Sequence, residues 1–157
     1  MKRILMILVF AAIAATPTFA QSYSTGIGLK GGYPGYGGIN LKHDFGGVFG
    51  DFTLGGGQYN LSFTALLEKQ QSLKDGFDWY YGGGLYVYSW RNGHSYYYKE
   101  KYYNDRASFG AVFVLGLEYT FNEIPINIGI DAGPVVTFVP YTGVGFGSNI
   151  AVRYVLK

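Results

Sequence analysis

The chain has no cysteine among its 157 residues. Disulfides, thiolate nucleophiles and cysteine-based metal sites are therefore excluded. Charge is also scarce. Asp, Glu, Lys and Arg make up 14% of the sequence, against about 25% in an ordinary soluble domain. The 12 basic and 10 acidic residues almost cancel, and Lys2 and Arg3 account for the excess. That balance excludes a basic nucleic-acid-binding surface, so no nucleic-acid partner is expected. No apolar run reaches the ~20 residues that a membrane-spanning helix needs. What is abundant is glycine (25), tyrosine (16) and phenylalanine (12). A chain rich in aromatics and poor in charge is not a disordered one.

The N-terminus reads as an export signal. Met1-Lys2-Arg3 is positive, Ile4 to Ala15 is apolar, and Pro17 breaks the run. Thr18-Phe19-Ala20 then supplies small residues flanking a cleavage point before Gln21. Residues 1–20 are accordingly expected to be a secretory signal peptide, and 21–157 one mature domain.

The mature chain is dominated by alternation with period 2, which marks β-strands. From Ser108 to Phe121, odd positions carry Phe109, Ala111, Phe113, Leu115, Leu117, Tyr119 and Phe121. Even positions carry Ser108, Gly110, Val112, Val114, Gly116, Glu118 and Thr120. The same contrast sets Ile126, Ile128, Ile130 and Ala132 against Asn127, Gly129, Asp131 and Gly133, and Ile150, Val152, Tyr154 and Leu156 against Asn149, Ala151, Arg153 and Val155. Earlier, Tyr23, Thr25, Ile27 and Leu29 oppose Ser24, Gly26, Gly28 and Lys30. Ile39 and Leu41 oppose Asn40 and Lys42, and Phe52 and Leu54 oppose Asp51 and Thr53. Tyr59 to Leu67 alternates with Asn60 to Glu68, Leu66 excepted. Trp79 to Trp90 is strand-like with Tyr, Gly, Leu and Val on both faces, which leaves its phase open.

This pattern predicts eight strands. Connections are expected at Gly31 to Gly38, Gly46-Gly47, Gly55 to Gln58, Gln70 to Gly76, Arg91 to Arg106, Asn122 to Pro125 and Pro140 to Gly143. Pro134 lacks a donor, so a bulge or a strand end is expected there.

Alternation fits a soluble barrel with its apolar face inward, or an outer-membrane barrel with that face toward lipid. Three features favour the membrane. The polar face is mostly Gly, Ser, Thr, Asn and Ala, which suits the narrow interior of an eight-stranded barrel better than a soluble surface. Aromatics gather at strand ends: Tyr23, Phe45, Trp79, Tyr119, Phe121 and Tyr154 at one, and Tyr36, Tyr59, Trp90, Phe109, Phe138 and Phe146 at the other. The longest connection, Arg91 to Arg106, is odd-numbered and so faces outward if both termini are periplasmic. An exported chain without spanning helices can cross lipid only as a closed barrel.

The alternating strand Ile150, Val152, Tyr154, Leu156 resembles the assembly signal of outer-membrane barrels. Gly28 to Gly35 and Gly116 to Asn127 are similar to stretches of small outer-membrane proteins. As a pattern, the mature chain resembles the eight-stranded barrels of the OmpX and OmpA-transmembrane-domain kind. That resemblance implies an all-β, up-and-down antiparallel barrel in the outer membrane of a Gram-negative cell. Its implied partners are outer-membrane lipid and the barrel-assembly machinery, and it implies no catalytic motif.

The interior face would carry Lys30, Lys42, Asp51, Glu68, Glu118, Asp131 and Arg153. Buried charge is tolerated only when paired. A network that fills the lumen is expected, with Glu118 and Asp131 sharing Arg153 or a lysine. A narrow ion pore is the alternative. In the segment 91–106, Tyr96, Tyr97, Tyr98, Tyr102 and Tyr103 interleave with charge. These residues would suit adhesion to an extracellular ligand or surface. The plainer reading is a hairpin continuing past the membrane with tyrosines facing across it.

Gly26-Ile27-Gly28-Leu29-Lys30-Gly31 matches G-x-G-x-x-G, but Pro34 and a β pattern follow where a phosphate-binding helix would have to start. His43 is expected to pair with Asp44 near a strand end. His94 shares its loop with Ser95 and Asp105, which a mobile loop would not hold as a triad. No catalytic, cofactor or metal residue is expected. The reading is a non-enzymatic outer-membrane barrel with a structural or surface-interaction role. Its rivals are a lipid-modifying or pore-forming barrel and a soluble periplasmic lipid-binding barrel.

Overall fold

A computed structural model describes residues 23–35, 37–98, 101–140 and 142–156, with side chains of 91–98 and 101–106 outside that description. The expected export signal, residues 1–20, and Tyr36 of the expected aromatic girdle lie outside the described residues. The strands are β1 (Thr25–Gly32), β2 (Gly38–Asp44), β3 (Phe49–Gly57), β4 (Asn60–Lys74), β5 (Phe77–Tyr98), β6 (Lys101–Thr120), β7 (Ile126–Val139) and β8 (Gly143–Leu156). Each pairs antiparallel with its sequence neighbour, and β8 closes on β1, giving an eight-stranded up-and-down barrel. Among the described residues no helix is long and apolar enough to cross a membrane.

The two faces follow the alternation. On β6, Val112, Val114 and Glu118 point into the barrel, while Phe113, Leu115 and Leu117 are exposed outside. The same holds for Asn40 and Lys42 against Ile39 and Leu41, and for Asp131 against Ile128 and Ile130. Ionic side chains are thus central and large apolar side chains outermost.

The turns explain why the strands meet where they do. In the β2–β3 connection, Gly46 and Gly47 adopt φ of 93° and 98°, and both donate backbone N–H bonds to Asp44 Oδ1. This occupies the Asp44 carboxylate. His43, expected to pair with Asp44, instead bonds Thr25 Oγ1 through Nδ1 at 2.8 Å and sets its ring on Phe45. The β4–β5 connection is only Asp75-Gly76, at φ of 51° and 86°. Two successive positive φ values make the turn whose twist matches paired strands, and Asp-Gly is its usual sequence. Most of the loop expected at Gln70 to Gly76 is therefore strand.

Two other expectations change. β7 runs through Pro134 without changing face, and Val135 remains buried. Pairing of β6 with β7 lapses between Val112–Val135 and Leu115–Ala132, where Pro134 has no N–H to donate. The register shift lies further on, at Phe109–Gly110. Tyr23 sits inside the barrel, not on the outer girdle. It precedes β1, so the alternation of that strand does not govern it. The segment 91–106, by contrast, follows the plainer expectation of a hairpin that continues β5 and β6, with Tyr96 opposite Tyr103 and Tyr97 opposite Tyr102 in register.

Candidate functional site

The lumen is built in three layers, counted from the end that carries the termini. Tyr23, Phe49 and Val155 close that end. A polar layer follows. Leu66, Tyr86, Val112, Val114 and Val135 form an apolar layer beyond it. Pro34 is tucked in from the β1–β2 connection, and a cavity of about 20 Å³ remains between it and Lys30, Thr53 and Leu66. That is room for about one water molecule.

All seven charges singled out by alternation lie in the polar layer, none more than 5% exposed. They come from seven different strands, and only closure brings them together. Arg153 is the hub. Its Nη2 meets Asp51 Oδ2 at 2.8 Å, its Nε donates to Asn40 Oδ1, and its Nη1 donates to Asn127 Oδ1 at 3.1 Å. Lys30 bridges Asp51 at 3.3 Å and Asp131 at 3.0 Å. Lys42 bridges Glu118 at 2.8 Å and Glu68 at 3.0 Å. The Lys42 ammonium also lies 4.1 Å from the Tyr80 ring centroid, an added cation–π attraction.

Glu118 and Asp131 do not share one cation as expected. Glu118 takes Lys42, with Arg153 Nη1 further off at 3.8 Å, whereas Asp131 takes Lys30. Asp131 is completed by donors from Tyr80 (3.1 Å) and Asn149 (2.7 Å), and Glu118 by Tyr23 (2.8 Å) and Gln70. Asn40 donates to Asp51 and Thr53 on the neighbouring strand. Each of these bonds replaces solvation that the closed interior withholds.

Several interior residues escape a reading by alternation. Asp78 is buried at the start of β5 and accepts from Ser72 Oγ and Gln70 Nε2. Tyr80, Tyr86 and Tyr88 also face inward, which settles the phase of β5. Glycines make room for two of these rings. A Cβ on Gly116 would stand 2.3 Å from the Tyr80 ring, and one on Gly110 would stand 2.6 Å from the Tyr86 ring. The usable signal was Asp78 with Tyr80, two apart, continued by Gly82 and Gly84.

This arrangement holds charge in place. Every ionic side chain in the layer is engaged by a neighbour in the wall or across the lumen. The outer wall carries aromatic pairs near the terminal end, Phe77–Tyr119 at 4.6 Å and Trp79–Tyr81 at 5.5 Å. Toward the other end it carries Phe109–Phe138 at 5.8 Å. No protein-family model, curated protein or solved structure matches the chain.

Proposed function

We propose that this chain is an exported outer-membrane β-barrel with a filled lumen and a structural or surface-interaction role, without enzymatic activity. One observation carries the reading: the ionic residues are enclosed, while Leu29, Val144 and Phe146 on the wall are 66%, 79% and 72% exposed. A continuous apolar wall of this kind in water far exceeds the few hundred Å² that soluble monomers present. In lipid it is the stable arrangement. The N-terminal signal pattern and the resemblance to OmpX-like and OmpA-like barrels support the same location. Both termini would then be periplasmic, the barrel-assembly machinery would insert the chain, and the β5–β6 hairpin would stand outside the cell.

The hairpin supports the surface-interaction part. β5 pairs with β4 only as far as Trp90–Asn60, and β6 pairs with β7 only from Phe109. Yet β5 and β6, after a register shift between Ser89 and His94, pair again from His94–Asp105 out to Tyr98–Lys101. A two-stranded ribbon bearing five tyrosines therefore rises past the rest of the wall, and its contacts would be with an extracellular ligand or surface.

The test is extraction and reconstitution of the mature chain. It should require detergent, should migrate faster on a gel unheated than boiled, and should give no stable conductance in a planar bilayer. Extraction into buffer alone would overturn the membrane reading. A large steady pore would overturn the filled lumen.

A further inference from the structure

We propose that the outer wall carries a seat for one anionic phospholipid of the leaflet at the terminal end. Its headgroup meets Lys69, and one acyl chain lies in an oblique groove that runs from β5 to β1. The proposal rests on the outer-membrane reading and names a lipid contact within it.

The groove has a volume of about 840 Å³. It follows one row of paired residues around the wall. Trp79 on β5 faces Leu117, Leu117 faces Ile130, Ile130 faces Ile150, and Ile150 faces Gly31 on β1. Gly31, Ala132 and Ser148 are its small residues. The wall dips at them, because Leu115, Ile130 and Ile150 beside them are large and each more than half exposed.

Its direction suits a lipid chain. From β5 round to β1 are four strand spacings of ~4.8 Å, about 19 Å in all. Trp79 is the third residue of β5 and Gly31 the seventh of β1, so the row climbs away from the terminal end. With strands tilted ~40°, the climb is about 12 Å. One leaflet's chains occupy ~15 Å of a ~30 Å hydrocarbon core. A chain lying in the groove touches its floor and both flanks, whereas a smooth wall offers one side only.

The foot of the groove supplies the headgroup contact. Lys69 lies opposite Tyr81, and Tyr81 packs on Trp79 with ring centroids 5.5 Å apart. Glu68 and Gln70 are buried in the lumen, so alternation turns Lys69 outward between them. Pairing of β4 with β3 ends at Phe49–Glu68, one residue earlier, which sets Lys69 at the rim formed by the β2–β3 turn. At that height a lysine keeps its ammonium among headgroups while its stem covers apolar wall. Trp and Tyr favour the same level. The β4–β5 turn adds Lys74 and Asp75, which offset each other at 3.9 Å, and Glu123 stands two strands away on the β6–β7 turn. Lys69 therefore sets the sign at the foot. It favours a net negative headgroup over a zwitterionic one, whose phosphate already has a cation attached.

Trp79 and Trp90 are the two tryptophans of the chain, so Trp90→Phe leaves Trp79 as a reporter in the groove. This parent is folded into dioleoyl phosphatidylcholine vesicles containing a small fraction of phosphatidylglycerol or phosphatidylcholine with brominated chains, which quench on contact. Heat-modifiable migration establishes closure of each variant first. The brominated phosphatidylglycerol should quench Trp79 about fivefold more effectively, the ratio that one lysine near a surface is worth. Lys69→Gln should bring that ratio close to one, and Lys69→Arg should keep it. Ala132→Phe fills the groove with Lys69 still in place and should lower the ratio too. Ser148→Leu fills the same dip and replaces Ala132→Phe if that variant does not close. A ratio of one in the parent, or a ratio unchanged by filling the groove, would overturn the seat and leave the membrane reading intact. Quenching that falls as more protein is loaded per vesicle would give the groove to a second copy and overturn it likewise. No quenching of Trp79 by either lipid in the closed barrel would overturn the membrane reading itself.

Discussion

Replacing Arg153 with Met tests whether the ion layer holds the barrel together. Arg153 is fully buried and bonds Asp51, Asn40 and Asn127. At 2.8 Å and an effective dielectric near 20, the pair with Asp51 represents about 6 kcal/mol of Coulomb energy. Much of that is offset by the cost of desolvating both ions. Removing one partner leaves that cost standing on the other. Asp51 keeps Lys30 at the longer distance of 3.3 Å, and the carbonyl oxygens of Asn40 and Asn127 lose their donor. The expected loss is about 3–5 kcal/mol, the range for breaking a buried pair. Adding Asp51→Leu removes the stranded charge, so the double variant should be more stable than the sum of the singles by about 1–3 kcal/mol. The assay is urea unfolding of the reconstituted protein, followed by heat-modifiable migration and tryptophan emission. Loss of less than ~1 kcal/mol in Arg153→Met would refute the claim that this layer is a stabilising hub.

Leu115→Lys places a charge on the outer wall and should destabilise the reconstituted barrel by about 2–4 kcal/mol, whereas Tyr59→Lys at the rim should cost about 0–1 kcal/mol. Vesicle-refolding titrations measure both, and equal effects would count against a depth-dependent apolar environment. Gly116→Val should displace the Tyr80 ring, whose atoms would stand 2.3 Å from the new Cβ, and should lower the yield of the heat-modifiable form. Gly37→Ala, with open space at that position, should fold normally and serves as the control. Deleting Tyr96 to Tyr103 should leave the barrel's folding intact, because the extended ribbon lies beyond the pairing of β5 with β4 and of β6 with β7. Loss of cell attachment in that variant would support the surface role, and unchanged attachment would count against it.

Period-2 patterning carried most of the fold because each strand separates two environments, and a one-residue slip would exchange them. Lys30, Lys42, Asp51, Glu68, Glu118, Asp131 and Arg153 could be assigned to one face for that reason. Tyrosine weakened the signal in β5. Its ring suits either environment and its hydroxyl finds partners in the lumen, so Tyr80 bonding Asp131 looks no different in sequence from Tyr81 outside. Asp78 was missed with it. The Asp75-Gly76 turn was legible by its composition but was absorbed into a polar stretch, Gln70 to Lys74, that β4 in fact uses. Gln70 is fully buried there and bonds Glu118 across the lumen. The pairing of individual ions was not legible. It depends on side-chain reach across a curved interior, which alternation does not encode.

The ionic layer also constrains how the cylinder can be assembled. Its charges are contributed by seven separate strands, and Arg153, on the last of them, reaches Asn40 and Asp51 on the second and third. A sheet that had entered the bilayer with its seam still open would hold out lone carboxylates and ammonium groups to hydrocarbon. In the membrane setting proposed above, half-built intermediates of that kind are costly to populate. On the proposed membrane reading, insertion and seam-zipping are expected to occur as one concerted event, with the final strand acting as the latch.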